Sequence, residues 1–155
     1  MISYFNVGTH RQSTNYSCGP ASLKIIFKSY GDSFSENELI HKTNTTKKDG
    51  MYIEECLEFC KEHGYTCFQK YNSNLKELLC LLQKGFPVLV SYQAWGGCHY
   101  SIIYGFKKNR FLLSDPSKEG GYRTIRRDLF LKRWWHKDFG KKKHKWLMIV
   151  FPRNR

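Results

Sequence analysis

No window of the chain approaches the roughly 18 uncharged apolar residues that a membrane-crossing helix needs. The opening residues, MISYFNVGTH, have neither the basic flank nor the apolar stretch of a secretory signal, so the expected location is cytoplasmic. There is no internal repeat, low-complexity tract or long linker, which excludes a repeat architecture. Acidic residues are scarce, 13 Asp and Glu against 26 Lys and Arg. The six cysteines (Cys18, Cys56, Cys60, Cys67, Cys80, Cys98) do not have the spacing of a small secreted disulfide framework. Reduced thiols are the expectation.

What is present suits a globular protein. At 155 residues, with 41% hydrophobic and 16% aromatic side chains, the chain reads as one domain over 1–155 with a real core. Its net charge of +13 is uneven: residues 1–106 hold 10 Lys and Arg against 9 Asp and Glu, and residues 107–155 hold 16 against 4. The C-terminal third, including GKKKHK at 140–145, would attract an acidic partner, and it serves equally well as a solvated surface.

Hydrophobic periodicity orders the elements. Leu23, Ile26, Phe27 and Tyr30 recur at helical spacing after Cys18, and Gly31 is a natural stop. Ser35 to Glu38 is a capping-box pattern opening a second helix. Helices are also predicted from about Met51 to His63 and through Leu75–Leu82. FPVLVSYQAW, CHYSIIYGF, RFLLSDP, GYRTI and KWLMIVF then read as strands, the last over about 145–151, with a short helix around Asp128 to Trp135. Helices followed by strands predict an α+β fold with an antiparallel sheet.

Cys18 stands at the first turn of a helix, where unpaired N–H groups and the helix dipole favour a thiolate. Gly19 and Pro20 keep the chain narrow as it turns into that helix. A thiolate nucleophile needs a base that later returns the proton, and histidine suits that task near neutral pH. His99 is the best placed of the six histidines, at the start of a strand directly after Gly96-Gly97-Cys98. Asp115 ends the next strand, and a hairpin would bring it beside His99 to hold the ring. Gln12, on the loop before the helix, can supply a side-chain donor to an oxyanion, with the Cys18 N–H as the second.

Taken together these parts resemble the papain-like cysteine peptidases, most closely the bacteriocin-processing, double-glycine family in a stand-alone form. QSTNYSCGPASL resembles that family's glutamine-to-nucleophile segment, GGCHYSIIYGF its histidine strand and FLLSDPS its aspartate turn. The likeness continues through KKDGMYIEECLEFCKEHGY, LKELLCLLQKGFPVLV and GGYRTIRRDLFLKRWW, over roughly residues 10–136. It implies a papain-like fold in which N-terminal helices pack against a C-terminal antiparallel sheet. It further implies Cys18 as nucleophile, His99 as general base and acid, Asp115 as orienting group and Gln12 as oxyanion-hole residue. The reaction implied is hydrolysis of a bond in a peptide or protein substrate, after Gly-Gly by inheritance, with no metal or cofactor. Ser17 stands where the family often has an acid, and the Lys-rich segment 140–145 has no evident counterpart.

Other readings remain open on the residues alone. Deamidation or acyl transfer would use the same thioester chemistry. A basic binding module with an idle site is a third: Arg126, Arg127, Lys132 and Arg133 beside Trp134-Trp135 could engage nucleic acid, although core contacts are the favoured role for the tryptophans. Cys56 and Cys60 lie one helical turn apart, with His63 and Cys67 following, which suits zinc. They share an apolar face with Tyr52 and Phe59, however, so plain packing is preferred and no metal site is expected.

Overall fold

The structure is a computed structural model that describes residues 6–117 and 121–154. Its first helix, α1 (Cys18–Ser29), buries Leu23, Ile26 and Phe27, and Gly31 follows at a φ of 91°. Helix α2 (Glu36–Lys42) is capped as its sequence predicts, with the Ser35 side chain accepting from the Glu38 N–H. Helix α3 (Ile53–Glu62) buries Ile53, Cys56, Phe59 and Cys60. Helix α4 (Leu75–Gln83) is capped by Asn74.

Strand β1 (Tyr65–Lys70) lies between α3 and α4. The chain then runs through β2 (Val88–Ala94), β3 (Gly97–Lys107), β4 (Arg110–Asp115), β5 (Gly121–Arg126), α5 (Arg127–Arg133), β6 (Trp135–Asp138), β7 (Lys141–His144) and β8 (Leu147–Pro152). Six strands form one sheet in the order β1-β8-β2-β3-β4-β5, with every pair antiparallel, and β6 and β7 make a separate hairpin.

Side chains of a strand alternate between faces, and both faces of this sheet are covered. Leu89, Ile102, Met148 and Val150 join α1, α2 and α3 in one apolar cluster. Val88, Val90, Ile103, Leu147 and Ile149 join α4 and α5 in another. The fold is therefore α+β as read, with helices packed on two sides of the sheet.

Cys56 and Cys60 belong to the first cluster, and Cys67 packs against it. The Cys60 thiol lies in hydrogen-bond contact with those of Cys56 and Cys67. Among the described residues no group of three or more His, Cys, Asp or Glu side chains is arranged to hold a metal ion. No helix of the described residues is long and apolar enough to cross a membrane.

Candidate active site

Helix α1 begins at Cys18, and the residue before it behaves unusually. Ser17 makes no capping bond to the helix. Its hydroxyl instead donates to the Glu36 carboxylate at 2.8 Å and accepts from the Thr14 hydroxyl at 2.7 Å. The first N–H groups of α1, that of Cys18 included, are thus not spent on a side-chain cap. Gly19 allows a close approach to the chain below, since a Cβ there would fall 2.9 Å from Met51 Cβ.

Glu36 organises the loop that leads into α1. Its buried carboxylate also receives the Ser13 N–H (3.0 Å to Oε2) and hydroxyl (2.6 Å), and it pairs with His10 Nε2 at 2.7 Å. Burial works against its charge, but the bonds from Ser13, His10 and Ser17 outweigh that and hold the carboxyl below its ordinary value. Gln12 sits within the braced loop: its backbone N–H donates to Pro116 O at 2.7 Å, and its side-chain nitrogen to Thr14 O at 2.6 Å. An amide nitrogen carries two hydrogens, so one remains for the cleft that Gln12 lines.

Strand β3 delivers the histidine. His99 is 6% exposed, and its Nε2 meets Asp115 Oδ1 at 2.8 Å, which leaves Nδ1 to face the thiol. The Cys18 side chain is in hydrogen-bond contact with His99, and the Tyr100 N–H reaches Cys18 Sγ at 3.5 Å. Burial alone disfavours a charged ring, but Asp115 and Cys18 outweigh it and push His99 up to about 9. The opposite holds for Asp115. Burial opposes its charge, yet His99 and the Ser117 N–H keep the carboxyl below its usual range.

The β2–β3 turn covers this pair. Trp95 (φ 50°) and Gly96 (φ 80°) are its two central residues, between the partners Ala94 and Gly97. Two positive φ values make a hairpin turn of the kind that favours Asn-Gly, so tryptophan at the first place is a strained choice. It sets the indole edge-on to His99, with ring centroids 4.9 Å apart at 89°. Arg123 of β5 lies over the indole at 4.8 Å and places Nη1 3.6 Å from Asp115 Oδ2.

Two cavities meet at Cys18. One, of about 460 Å³, is lined by Gln12, Trp95, Gly96, Gly97 and His99. The other, of about 260 Å³, lies toward Met51, Tyr52, Tyr100 and His136 and does not include His99. Of the four residues singled out from the sequence, Gln12, Cys18 and His99 line one cavity, and Asp115 lies buried behind His99. Three of the site's supports are not readable in the sequence: Glu36 passes as an acid suited to a helix first turn, Arg123 as an exposed strand residue, and His136 as one histidine among six. The tryptophan pair divides, because Trp134 is 1% exposed and donates its indole N–H to Trp146 O at 2.8 Å. Trp135 instead lies beneath Lys142, at 4.2 Å.

Known proteins share this architecture. The peptidase domain of Streptococcus ComA, a bi-functional ABC transporter, superposes with a TM-score of 0.75 at 20% identity, over 95% of this chain and 99% of that one. A double glycine motif protease from an AMS/PCAT transporter, in complex with its leader peptide, gives 0.73 at 19% identity, over 97% and 94%. A C39-like protein of Bacillus anthracis gives 0.69 at 13% identity, over 97% and 96%. In sequence, an uncharacterised protein of Methanothermobacter thermautotrophicus is 28% identical over 123 residues, 77% of each chain. The Peptidase C39 family model matches residues 6–137, a span that holds Gln12, Cys18, His99 and Asp115. The chain belongs to the Peptidase C39 family.

Proposed function

We propose that this protein is a cysteine peptidase that hydrolyses a bond in a peptide or protein substrate, with Cys18 as nucleophile. The observation that carries the reading is the His99–Asp115 contact at 2.8 Å, on a ring whose other nitrogen faces a thiol at a helix N-terminus. Cys18 passes its proton to His99 Nδ1, and the thiolate attacks the substrate carbonyl. Charge then develops on the carbonyl oxygen, for which the Cys18 N–H and the second hydrogen of the Gln12 amide are the proposed donors. Collapse breaks the C–N bond while His99 gives its proton to the departing amine. Water, deprotonated by His99, then cleaves the thioester and frees the acid and the thiol.

The same chemistry assigns direction to the cleft. The departing amine must lie within reach of His99, so the cavity that contains His99 takes the leaving side. The cavity beyond Cys18 takes the acyl side. Cleavage after Gly-Gly is the specificity that the double glycine protease likeness suggests.

Iodoacetamide labelling at about pH 6 with peptide mapping tests the pair, because an ordinary thiol, with a pKa of roughly 8.5, is mostly protonated there. Fast labelling confined to Cys18, and lost in His99→Ala, is the expected result. Slow labelling of Cys18 in both proteins would overturn the reading.

A further inference from the structure

The acyl-side cavity has a chemical character that cleavage itself does not require. His136 of β6 lines it and is 5% exposed, yet neither ring nitrogen has a hydrogen-bond partner among the described residues. Burying an imidazole in that state forfeits the bonds it made to water. Its burial holds the ring below its ordinary value, so it is neutral at pH 7 and keeps one nitrogen as an acceptor.

Carboxylates gather at the same place. Asp49 and Asp138 line the cavity, and Glu54 stands close enough for its charge to act on Tyr52, Tyr71 and His136. Tyr52 feels all three: partial burial first, then Asp49, Asp138 and Glu54, hold its phenol above the ordinary value. None of the three acids forms an ion pair among the described residues. With 26 Lys and Arg against 13 Asp and Glu in the chain, cations are plentiful, yet the partner Asp49 has is the Tyr52 hydroxyl, hydrogen-bonded to its carboxylate.

Lysines stand nearby, Lys141 opposite Asp138 in the β6–β7 register among them, without forming an ion pair with these acids. Lys143 lies over the Tyr71 ring at 5.7 Å, and Lys137, which borders the cavity, is exposed. The outer end is bridged by Tyr52 and Phe139, stacked at 4.9 Å and 6°, which ties the β6–β7 hairpin to the start of α3. Asp49 is hydrogen-bonded to Tyr52 of this stacked pair, and Asp138 directly precedes Phe139.

We propose that this cavity is a specificity pocket for an arginine side chain on the acyl side of the scissile bond, received by Asp49, Asp138 and the open nitrogen of His136. Guanidinium fits this set better than ammonium: its fork of five donors can serve several acceptors, it stacks on aromatic faces, and it loses water readily. The inference rests on the peptidase reading above.

The test uses peptidyl acyloxymethyl ketones, in which a thiolate displaces the carboxylate and forms a thioether at Cys18. The two residues next to the reactive group are Gly-Gly, and Arg, Leu or Glu is scanned through the next three positions. At one position the Arg probe should label Cys18 at least tenfold faster than the Leu probe, with Glu slowest. The Arg-to-Leu ratio should fall about tenfold in Asp49→Asn/Asp138→Asn, and Asp138→Lys should favour Glu over Arg, with circular dichroism checking the fold of each. Equal rates for the three probes, or a Glu preference in the wild type, would overturn the pocket while fast iodoacetamide labelling left the peptidase intact. Slow, His99-independent iodoacetamide labelling would instead remove the peptidase reading, and this inference with it.

Discussion

The Ser17 hydroxyl donates to the Glu36 carboxylate at 2.8 Å, one residue before the Cys18 thiol. That bond, with those from Ser13 and His10, fixes the loop from which Gln12 reaches the cleft. Serine stands directly before Cys18, where the family that the sequence resembles often has an acid. Here the carboxylate arrives from α2 instead, and Ser17 conveys its hold to the start of α1.

Replacing Glu36 therefore separates positioning from chemistry. Glu36→Gln keeps the shape but faces the same donors with one acceptor oxygen and no charge. Bonds to a charged group contribute more than neutral ones, and an unmet buried donor is costly, so stability should fall by about 2 kcal/mol. With the loop displaced, kcat should drop on the order of 10–100-fold while KM changes little, because Glu36 touches neither cavity. Urea melts and steady-state kinetics check both. An unchanged kcat would mean that the loop holds its own shape.

Stability should also depend on pH, with signs set by the groups whose values shift on folding. The folded pKa of His99 is raised from an ordinary 6.5 to about 9, so its contribution is complete below 6.5 and is lost as pH rises through 9. Asp115 and Glu36 are depressed, so theirs is present above the ordinary carboxylate range and is lost as pH falls through their folded values. Buried Cys60 and Cys67 are pushed up and add a loss above their ordinary range. Buried His136 is depressed, so its contribution grows as pH rises toward 6.5 and levels off above it. The window from about 6.5 to 8 is therefore where the loss from His99 dominates, between the ordinary histidine and thiol pKa values. Urea midpoints should fall across it in the wild type and stay flat or rise slightly in His99→Gln, where only the tail of His136 is left. Equal slopes would assign the dependence to another group.

Much of the fold is legible because its signals are local. The α1 periodicity, the Ser35 cap and the apolar runs of β2, β3 and β4 each announce an element within a few residues. Strand β1 is not announced. It is an edge strand, and only Tyr65 of YTCFQK is fully buried, so it shows no apolar alternation. The Lys-rich β7 is hidden for the same reason, since KKKH pairs with WHKD through backbone bonds that leave no hydrophobic trace. At the candidate site, residue type and order single out Cys18, His99, Asp115 and Gln12, and the fold brings His99 against both Asp115 and Cys18. The supports from Glu36, Arg123 and His136 depend on distances that only the packed sheet sets.

Trp95 offers the sharpest separation of stability from activity. Its φ of 50° costs a residue with a Cβ roughly 1 kcal/mol that glycine does not incur, and the indole is 58% exposed, so little packing offsets that cost. The ring nonetheless stands edge-on to His99 and carries Arg123 over its face. Trp95→Gly should therefore be as stable as the wild type or slightly more so, while its activity falls about tenfold, the scale of a single general acid–base group left less well oriented. Trp95→Phe keeps both the strained backbone and an aromatic edge over His99. It should be the less stable of the two variants and the more active. Thermal melts and kcat/KM measured side by side would then rank the variants in opposite orders. If Trp95→Gly lost stability as well, the indole would be a packing residue, and its place over His99 incidental to catalysis.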